Sequence, residues 1–185
     1  MPGIATTRFV TALCAALAAA AAHDVSSQSL VGVPSSPPAS AVMLIDSTGN
    51  AVARALTETV VLVTVESDLT APASIRPIYG ADGRMASGLG SWQSGGSVLF
   101  TSADCTVGAH IYSGTYAAVR AATQVQTPEG IVLYAGAIGP SVTVEVRSIL
   151  YDTGCSQVAV RQNGLVPVLA TRNLSTAYPP PLSFR

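Results

Sequence analysis

The two histidines are the residues of this sequence whose types and positions could assemble a metal site. If a peptidase cleaves after Ala22, His23 becomes the first residue, and its terminal amine and imidazole offer two nitrogen ligands. The imidazole of His110 would add a third, with Tyr112 nearby, and nitrogen ligands of this kind suit copper. A Ser- and Pro-rich stretch follows His23, however, and would hold this ligand loosely. We therefore expect no cofactor and no metal, and keep a copper site of His23 and His110 as the alternative.

Other residues of catalytic type form no pattern that assigns them a role. Nucleophilic catalysis needs a nucleophile, a base and an orienting group, and the sequence has no G-x-S-x-G turn to present a serine. No glycine-rich phosphate loop precedes a helix. The carboxylates are scattered, mostly at turns or on strand faces: Asp46, Glu58, Glu66, Asp68, Asp82, Asp104, Glu129, Glu145 and Asp152. We predict no catalytic residue, although a carboxylate pair for glycoside hydrolysis stays open.

The cysteines indicate a disulfide rather than a metal site. Cys14 lies in the apolar N-terminal run and would be lost with it, which leaves Cys105 and Cys155 as an even pair. A metal site needs more ligands at the usual spacing, and neither cysteine has a C-x-x-C partner. In an oxidising compartment an even pair favours a structural disulfide. We predict a bond between Cys105 and Cys155.

The first 22 residues have the composition of a secretory signal peptide. Arg8 is the only charge, an apolar run extends from Phe9 to Ala22, and small residues end it. That run is shorter than the about 20 apolar residues that a membrane-spanning helix needs. We expect cleavage after Ala22, no transmembrane segment in the mature chain, and export to the periplasm or out of the cell.

Composition divides the remaining chain into three parts. Ser and Pro dominate residues 23–40, which we predict to be a linker. Residues 41–172 form the predicted β-rich domain, and residues 173–185, with three consecutive prolines, the predicted tail, either loose or extended. The formal net charge is -1 at pH 7, so no nucleic-acid partner is implied. A protein or another surface is the open possibility.

Within 41–172 the hydrophobic pattern has the period of β-strands. Apolar and polar residues alternate most strictly in 141–150, which predicts one buried and one solvated face. The expected strands are 42–45, 60–66, 73–79, 97–101, 131–137, 141–150, a stretch around Val158 and Val160, and 165–170. Short strands between turn signals favour a mainly β fold, an antiparallel sandwich or an open barrel.

Three local expectations accompany this fold. Residues 51–56 could form one turn of helix. Residues 88–96 form a flexible Gly/Ser loop around Trp92, a residue that we expect to cap the core rather than to contact a ligand. The valines expected to be buried are Val61, Val63, Val142, Val144 and Val146.

Two segments together resemble small exported proteobacterial proteins of unknown function. Residues 46–52 resemble a D-x-x-G-x-x-V turn, and residues 100–106 resemble an F-x-S-x-D-C-x-G segment with a second cysteine downstream. The sequence departs from the pattern in having Val107 before the glycine and His110 at an aromatic position. The resemblance implies export, a β-rich body and a disulfide, and it assigns no catalytic residue.

These observations favour an exported envelope or extracellular protein that acts without catalysis, as an interaction or structural module. The alternative is a secreted enzyme. For that alternative, the site of His23 and His110 is similar to the histidine arrangement of copper-dependent polysaccharide oxygenases, which place it on a β-sandwich.

Overall fold

The structure is a computed structural model that describes residues 42–114 and 119–185. The predicted signal peptide (1–22), linker residues 23–40 and His23 lie outside the described residues. Among those described, strands predominate and all strand pairs are antiparallel, which confirms the predicted mainly β class. No helix there has the length and apolar composition that crossing a membrane would require.

Twelve strands and one short helix make up the described chain. In order they are β1 (Met43–Ile45), β2 (Ala51–Ala55), β3 (Val60–Glu66), β4 (Leu69–Tyr79), β5 (Met85–Trp92), β6 (Val98–Phe100), β7 (Ala109–Tyr112), β8 (Ala122–Thr127), β9 (Gly130–Gly136), β10 (Val142–Tyr151), β11 (Gly154–Asn173), α1 (Leu174–Ala177) and β12 (Leu182–Phe184). One sheet closes into a six-stranded barrel in the order β1-β12-β5-β4-β3-β2. The other has the order β10-β6-β7-β11-β9-β8, and β10 pairs with β11 as well as with β6.

The larger apolar core combines barrel residues with Leu133, Ala135 and Ala170 of the second sheet and Leu174 of α1. In β3 the side chains of Val61, Val63 and Val65 are buried whereas Thr64 and Glu66 are exposed, so the predicted alternation is confirmed. Residues from the other strands complete the core, among them Leu44, Ile75 and Leu182, all at most 1% exposed. Burial of a side chain of this size contributes about 1.5–3 kcal/mol.

Two segments of the barrel differ from their predicted structure. Residues 51–55 form β2 rather than a turn of helix, because β1 and β3 supply hydrogen-bond partners on both sides. Residues 85–92 form β5, so the predicted Gly/Ser loop is wrong up to Trp92. At Gly90 an added Cβ would lie 2.8 Å from Cγ2 of Ile75. This glycine therefore reflects close packing rather than flexibility.

The predicted tail supplies the strand that closes the barrel. Asn173 caps α1, since its Oδ1 accepts the backbone N–H of Thr176 at 3.0 Å. Strand β12 then pairs with β1 on one side and with β5 on the other. Leu182 is fully buried in the core. Residues 182–184 of the predicted tail are thus part of the barrel.

In the second sheet, β10 and β11 form a long hairpin with a bulge. The pairing register shifts by one residue after Val146, because Val146 lies opposite Val160 whereas Ser148 lies opposite Gln157, which places the extra residue in β11. Before the shift Val146 packs with Leu99 and Leu165 in a small cluster, and after it Leu150 packs against a different one. The single face predicted for 141–150 is therefore split in two.

The predicted burial of the β10 valines holds only in part. Val146 is buried, as are Val61 and Val63 in the barrel, but Val144 is only half-buried. Val142 is 42% exposed, so its predicted burial is wrong. Val142 is the first residue of β10 and directly follows exposed residues 138–141. The strand start therefore lies outside the apolar core.

Candidate functional site

A tightly bonded loop connects β6 to β7 and contains the F-x-S-x-D-C segment. We call residues 101–108 the cysteine loop. The hydroxyl oxygen of Ser102 accepts the backbone N–H groups of Thr106 at 3.2 Å and Val107 at 3.0 Å. The Thr106 hydroxyl donates to Oδ1 of Asp104 at 2.6 Å. Hydrogen bonds from Thr106 and Ser102 lower the pKa of the Asp104 carboxyl, so these polar groups hold the loop.

Cys105 and Cys155 lie at disulfide distance, with Cα atoms 6.0 Å apart. Cys105 has a φ of +57°, a left-handed conformation that L-residues seldom adopt. Its backbone N–H donates to the hydroxyl of Ser148 at 3.0 Å, and that hydroxyl donates to the carbonyl of Ser102 at 2.7 Å. Ser148 is fully buried. Ser148 of β10 thus holds the cysteine loop through two hydrogen bonds to its backbone.

Sequence reasoning missed Ser148. The signal available was a serine inside a strand of alternating valines, where a polar side chain on an apolar face needs a hydrogen-bond partner. Its partners are backbone groups of Cys105 and Ser102, 43 and 46 residues away in the chain, and nothing in the sequence of β10 identifies them.

The turn between β10 and β11 has a second attachment. We call residues 151–157 the hairpin tip. Oδ1 of Asp152 accepts the backbone N–H of Gln126 in β8 at 2.7 Å. The carboxylate thereby links the hairpin tip to β8. All residues of the hairpin tip are exposed. Besides β10–β11 pairing, the hairpin tip is therefore held by Cys155 on one side and by Asp152 on the other.

The D-x-x-G-x-x-V turn is a second polar motif, in the barrel. Oδ1 of Asp46 accepts the backbone N–H of Thr48 and of Asn50, both at 2.9 Å, and the Thr48 hydroxyl at 2.7 Å. These bonds, the Thr48 hydroxyl first, lower the pKa of Asp46. Gly49 has a φ of +88°, which glycine adopts without strain. The carboxylate organises the turn from β1 to β2.

His110 is held by its own loop. Its Nδ1 lies 2.8 Å from the carbonyl oxygen of Gly108, and the residue is half-buried in β7 between Leu99 and Pro167. Over residues 42–114 and 119–185, no group of three or more His, Cys, Asp or Glu residues could hold a metal ion. His23 lies outside those ranges, so the copper site of His23 and His110 stays an untested alternative.

A polar cleft of about 350 Å³ lies where β3 and β4 of the barrel meet β8. Its lining includes Ser74, Gln93, Thr123 and Gln124 and contains no charged side chain. Gln124 is buried and bonds the backbone of Ser74 twice, accepting its N–H and donating to its carbonyl at 3.2 Å. Its amide thereby joins the two sheets.

An apolar face extends over β7 and the β10–β11 hairpin. Val142 lies opposite Leu165, which lies opposite Tyr112, and Val146 lies opposite Val160. Directly opposite residues share a face. Tyr112, Val142 and Val160 are 52%, 42% and 45% exposed, and we call these three residues the hairpin face.

Comparison with protein-family models, with curated proteins and with solved structures finds no match to this chain. The resemblance to exported proteobacterial proteins stays a prediction from two motifs. In the structure, Asp46 of one motif and Ser102 of the other each accept two backbone N–H groups of their own loop. The hairpin face carries neither motif.

Proposed function

We propose that this chain is exported and acts without catalysis, as an interaction module that contacts another protein through its hairpin face. The observation that carries the proposal is the grouping of Tyr112, Val142 and Val160 on one face, each at least 42% exposed. Single exposed apolar residues are ordinary, whereas a grouped set is typical of contact surfaces.

The attachments of the hairpin support this proposal. Association costs less free energy when the contacting surface is already ordered. The hairpin tip is joined to the cysteine loop at Cys155 and to β8 through Asp152. Of the hairpin face, Val160 lies three residues beyond the hairpin tip, and these attachments therefore limit its movement.

Export is tested by the mass of the mature chain. We expect the protein from the periplasmic or culture fraction to begin at His23, as cleavage after Ala22 requires. A protein from those fractions that still begins at Met1 would contradict the signal-peptide prediction.

Contact through the hairpin face is tested by site-specific photo-crosslinking in the producing cells. A benzophenone amino acid in place of Val160 should give a discrete adduct, because this position lies within the hairpin face. The same group in place of Val107 is the matched control, since Val107 is 64% exposed but lies in the cysteine loop. Val142→Ser should reduce the Val160 adduct. Equal adducts at both positions, or none at Val160, would refute the proposal.

A further inference from the structure

The hairpin tip has few packing contacts of its own. Residues 151–157 are all exposed, and of the two bonded cysteines only Cys105 is half-buried against an apolar cluster. Exposed backbone with little apolar packing opens locally at low cost in free energy. Beyond the pairing of residues 154–157 with β10, the sulfur–sulfur bond and the Asp152–Gln126 hydrogen bond tie this tip to the rest of the second sheet.

We propose that the Cys105–Cys155 bond is a latch that a dithiol reductant opens, releasing the hairpin tip and the cysteine loop while the barrel stays folded. Cys155 is exposed, so an incoming thiolate reaches its sulfur first. Access of this kind governs the rate of thiol–disulfide exchange.

The exchange consumes one dithiol. A thiolate of the reductant attacks Sγ of Cys155, the bond to Sγ of Cys105 breaks, and Cys105 leaves as a thiolate that takes a proton from water. The second thiol of the reductant then displaces Cys155 from the mixed disulfide. Both cysteines end as thiols, and the dithiol, oxidised by two electrons, ends as a disulfide.

Two features confine the release to one region. Cys105 leaves its left-handed conformation once it is free to move, because an L-residue prefers negative φ, and its N–H then parts from Ser148. The apolar core of the barrel contains no residue of the cysteine loop or the hairpin tip. The barrel strands therefore keep their packing when the bond opens.

This inference rests on the proposed function in one respect: release of the hairpin tip would alter how the hairpin face is presented. The latch itself is measured on the purified full chain with no partner. If reduction releases the hairpin tip but position 160 forms no photo-crosslink, the proposed function alone is refuted. If position 160 forms a discrete photo-crosslink but reduction does not speed amide exchange in the hairpin tip, the latch alone is refuted.

The test is amide hydrogen exchange by NMR on the full chain, oxidised and then reduced with dithiothreitol. We expect the N–H groups of Cys105 and Gln126 to exchange faster on reduction, and their rates relative to the barrel N–H of Ile75 to rise at least tenfold. Ile75 is a suitable reference because its N–H donates to the carbonyl of Thr59 at 2.8 Å inside the barrel. An unchanged or falling ratio overturns the proposal, since the bond would then act on global stability only.

Two variants separate the covalent attachment from the polar one. The amide N–H groups of Cys155→Ser should exchange as in the reduced protein, and dithiothreitol should not change their rates, because the variant has no disulfide to reduce. An exposed position tolerates serine, so the variant should fold. In oxidised Asp152→Ala, the N–H of Gln126 should exchange faster than in the wild type, whereas the N–H of Cys105 should stay protected from exchange. If Asp152→Ala also released Cys105, the polar contact rather than the disulfide would be the latch.

Discussion

The barrel and the β10–β11 hairpin are built from similar valine-rich strands, yet different interactions hold them. In the barrel every strand has two neighbours, and its core includes Val61 and Val63, both fully buried. In the hairpin Val142 and Val160 are more than 40% exposed, and the tip is attached through Cys155 and Asp152. Alternation alone therefore does not distinguish a core strand from an exposed one.

The difference follows from how much of each strand is paired on both sides. A closed barrel leaves no strand edge and gives each inward side chain partners from across the core. The segment of β11 before Asn163 pairs with β10 on one side, and among the described residues no strand pairs with its other side. A region with fewer apolar contacts then depends on covalent and polar attachments. This contrast predicts that one substitution will have unequal effects in the two regions.

The largest expected effect is that of an aspartate in the barrel. Val63→Asp buries a carboxylate without a partner, which costs several kcal/mol and should prevent stable folding. Val160→Asp, the matched change in the hairpin, places the charge in solvent and should alter the free energy of unfolding by roughly 0.5 kcal/mol or less. Urea unfolding followed by circular dichroism measures both. Similar losses in the two variants would show that the hairpin is packed as tightly as the barrel.

The next effect is loss of the disulfide. The sequence separation between the two cysteines is 50 residues, and the entropy of closing a loop of that length favours the folded state by about 4 kcal/mol. Cys155→Ser should lower the free energy of unfolding by up to this amount. Thiol titration of the unfolded, unreduced wild type is the accompanying control. Two free thiols in protein from an oxidising compartment would contradict the pairing.

Ser148 carries an intermediate effect in the hairpin. Ser148→Ala removes the acceptor of the Cys105 N–H and the donor to the Ser102 carbonyl, and an unsatisfied buried polar group costs about 1–3 kcal/mol. Ser156→Ala, at an exposed position of β11, is the matched control and should stay within roughly 0.5 kcal/mol of the wild type. Thermal unfolding compares the two. Equal stabilities would mean that water replaces the serine under the cysteine loop.

Sequence patterns were sufficient where a strand has a regular period and a core on one side. Residues 60–66 met both conditions, and the two cysteines had a single possible intramolecular pairing. Residues 51–55 failed because their short alanine-rich stretch has no decisive period. Only pairing with β1 and β3 makes them a strand.

Other segments depended on tertiary contacts that no local pattern encodes. Gly90 reads as a loop residue, but it is a close contact with Ile75. Residues 182–184 follow three prolines. They form a strand only because β1 and β5 supply pairing partners on both sides. Ser148 acquires its role through hydrogen bonds to the backbone of Cys105 and Ser102, which lie in another loop. The site was thus less predictable than the fold.

The smallest expected effect concerns two aspartates, Asp46 in the barrel and Asp104 in the cysteine loop. The Thr48 hydroxyl in the first case and the Thr106 hydroxyl in the second are the main causes that lower the pKa below the ordinary 3.8. A lowered folded-state pKa contributes stability that is fully present above about pH 4 and is lost as the pH falls through the folded value. Acid should therefore destabilise the wild type, and Asp46→Asn should weaken that dependence.

The two positions should differ in size of effect. Asp46 is 4% exposed and accepts three bonds on one oxygen, whereas Asp104 is exposed and solvent competes for its carboxylate. We expect Asp46→Asn to flatten the fall in unfolding free energy between pH 5 and pH 2.5 more than Asp104→Asn does. Urea midpoints across that range measure both. A steeper contribution from Asp104 would place the stronger polar anchor in the cysteine loop, next to the hairpin, and reverse the comparison with the barrel.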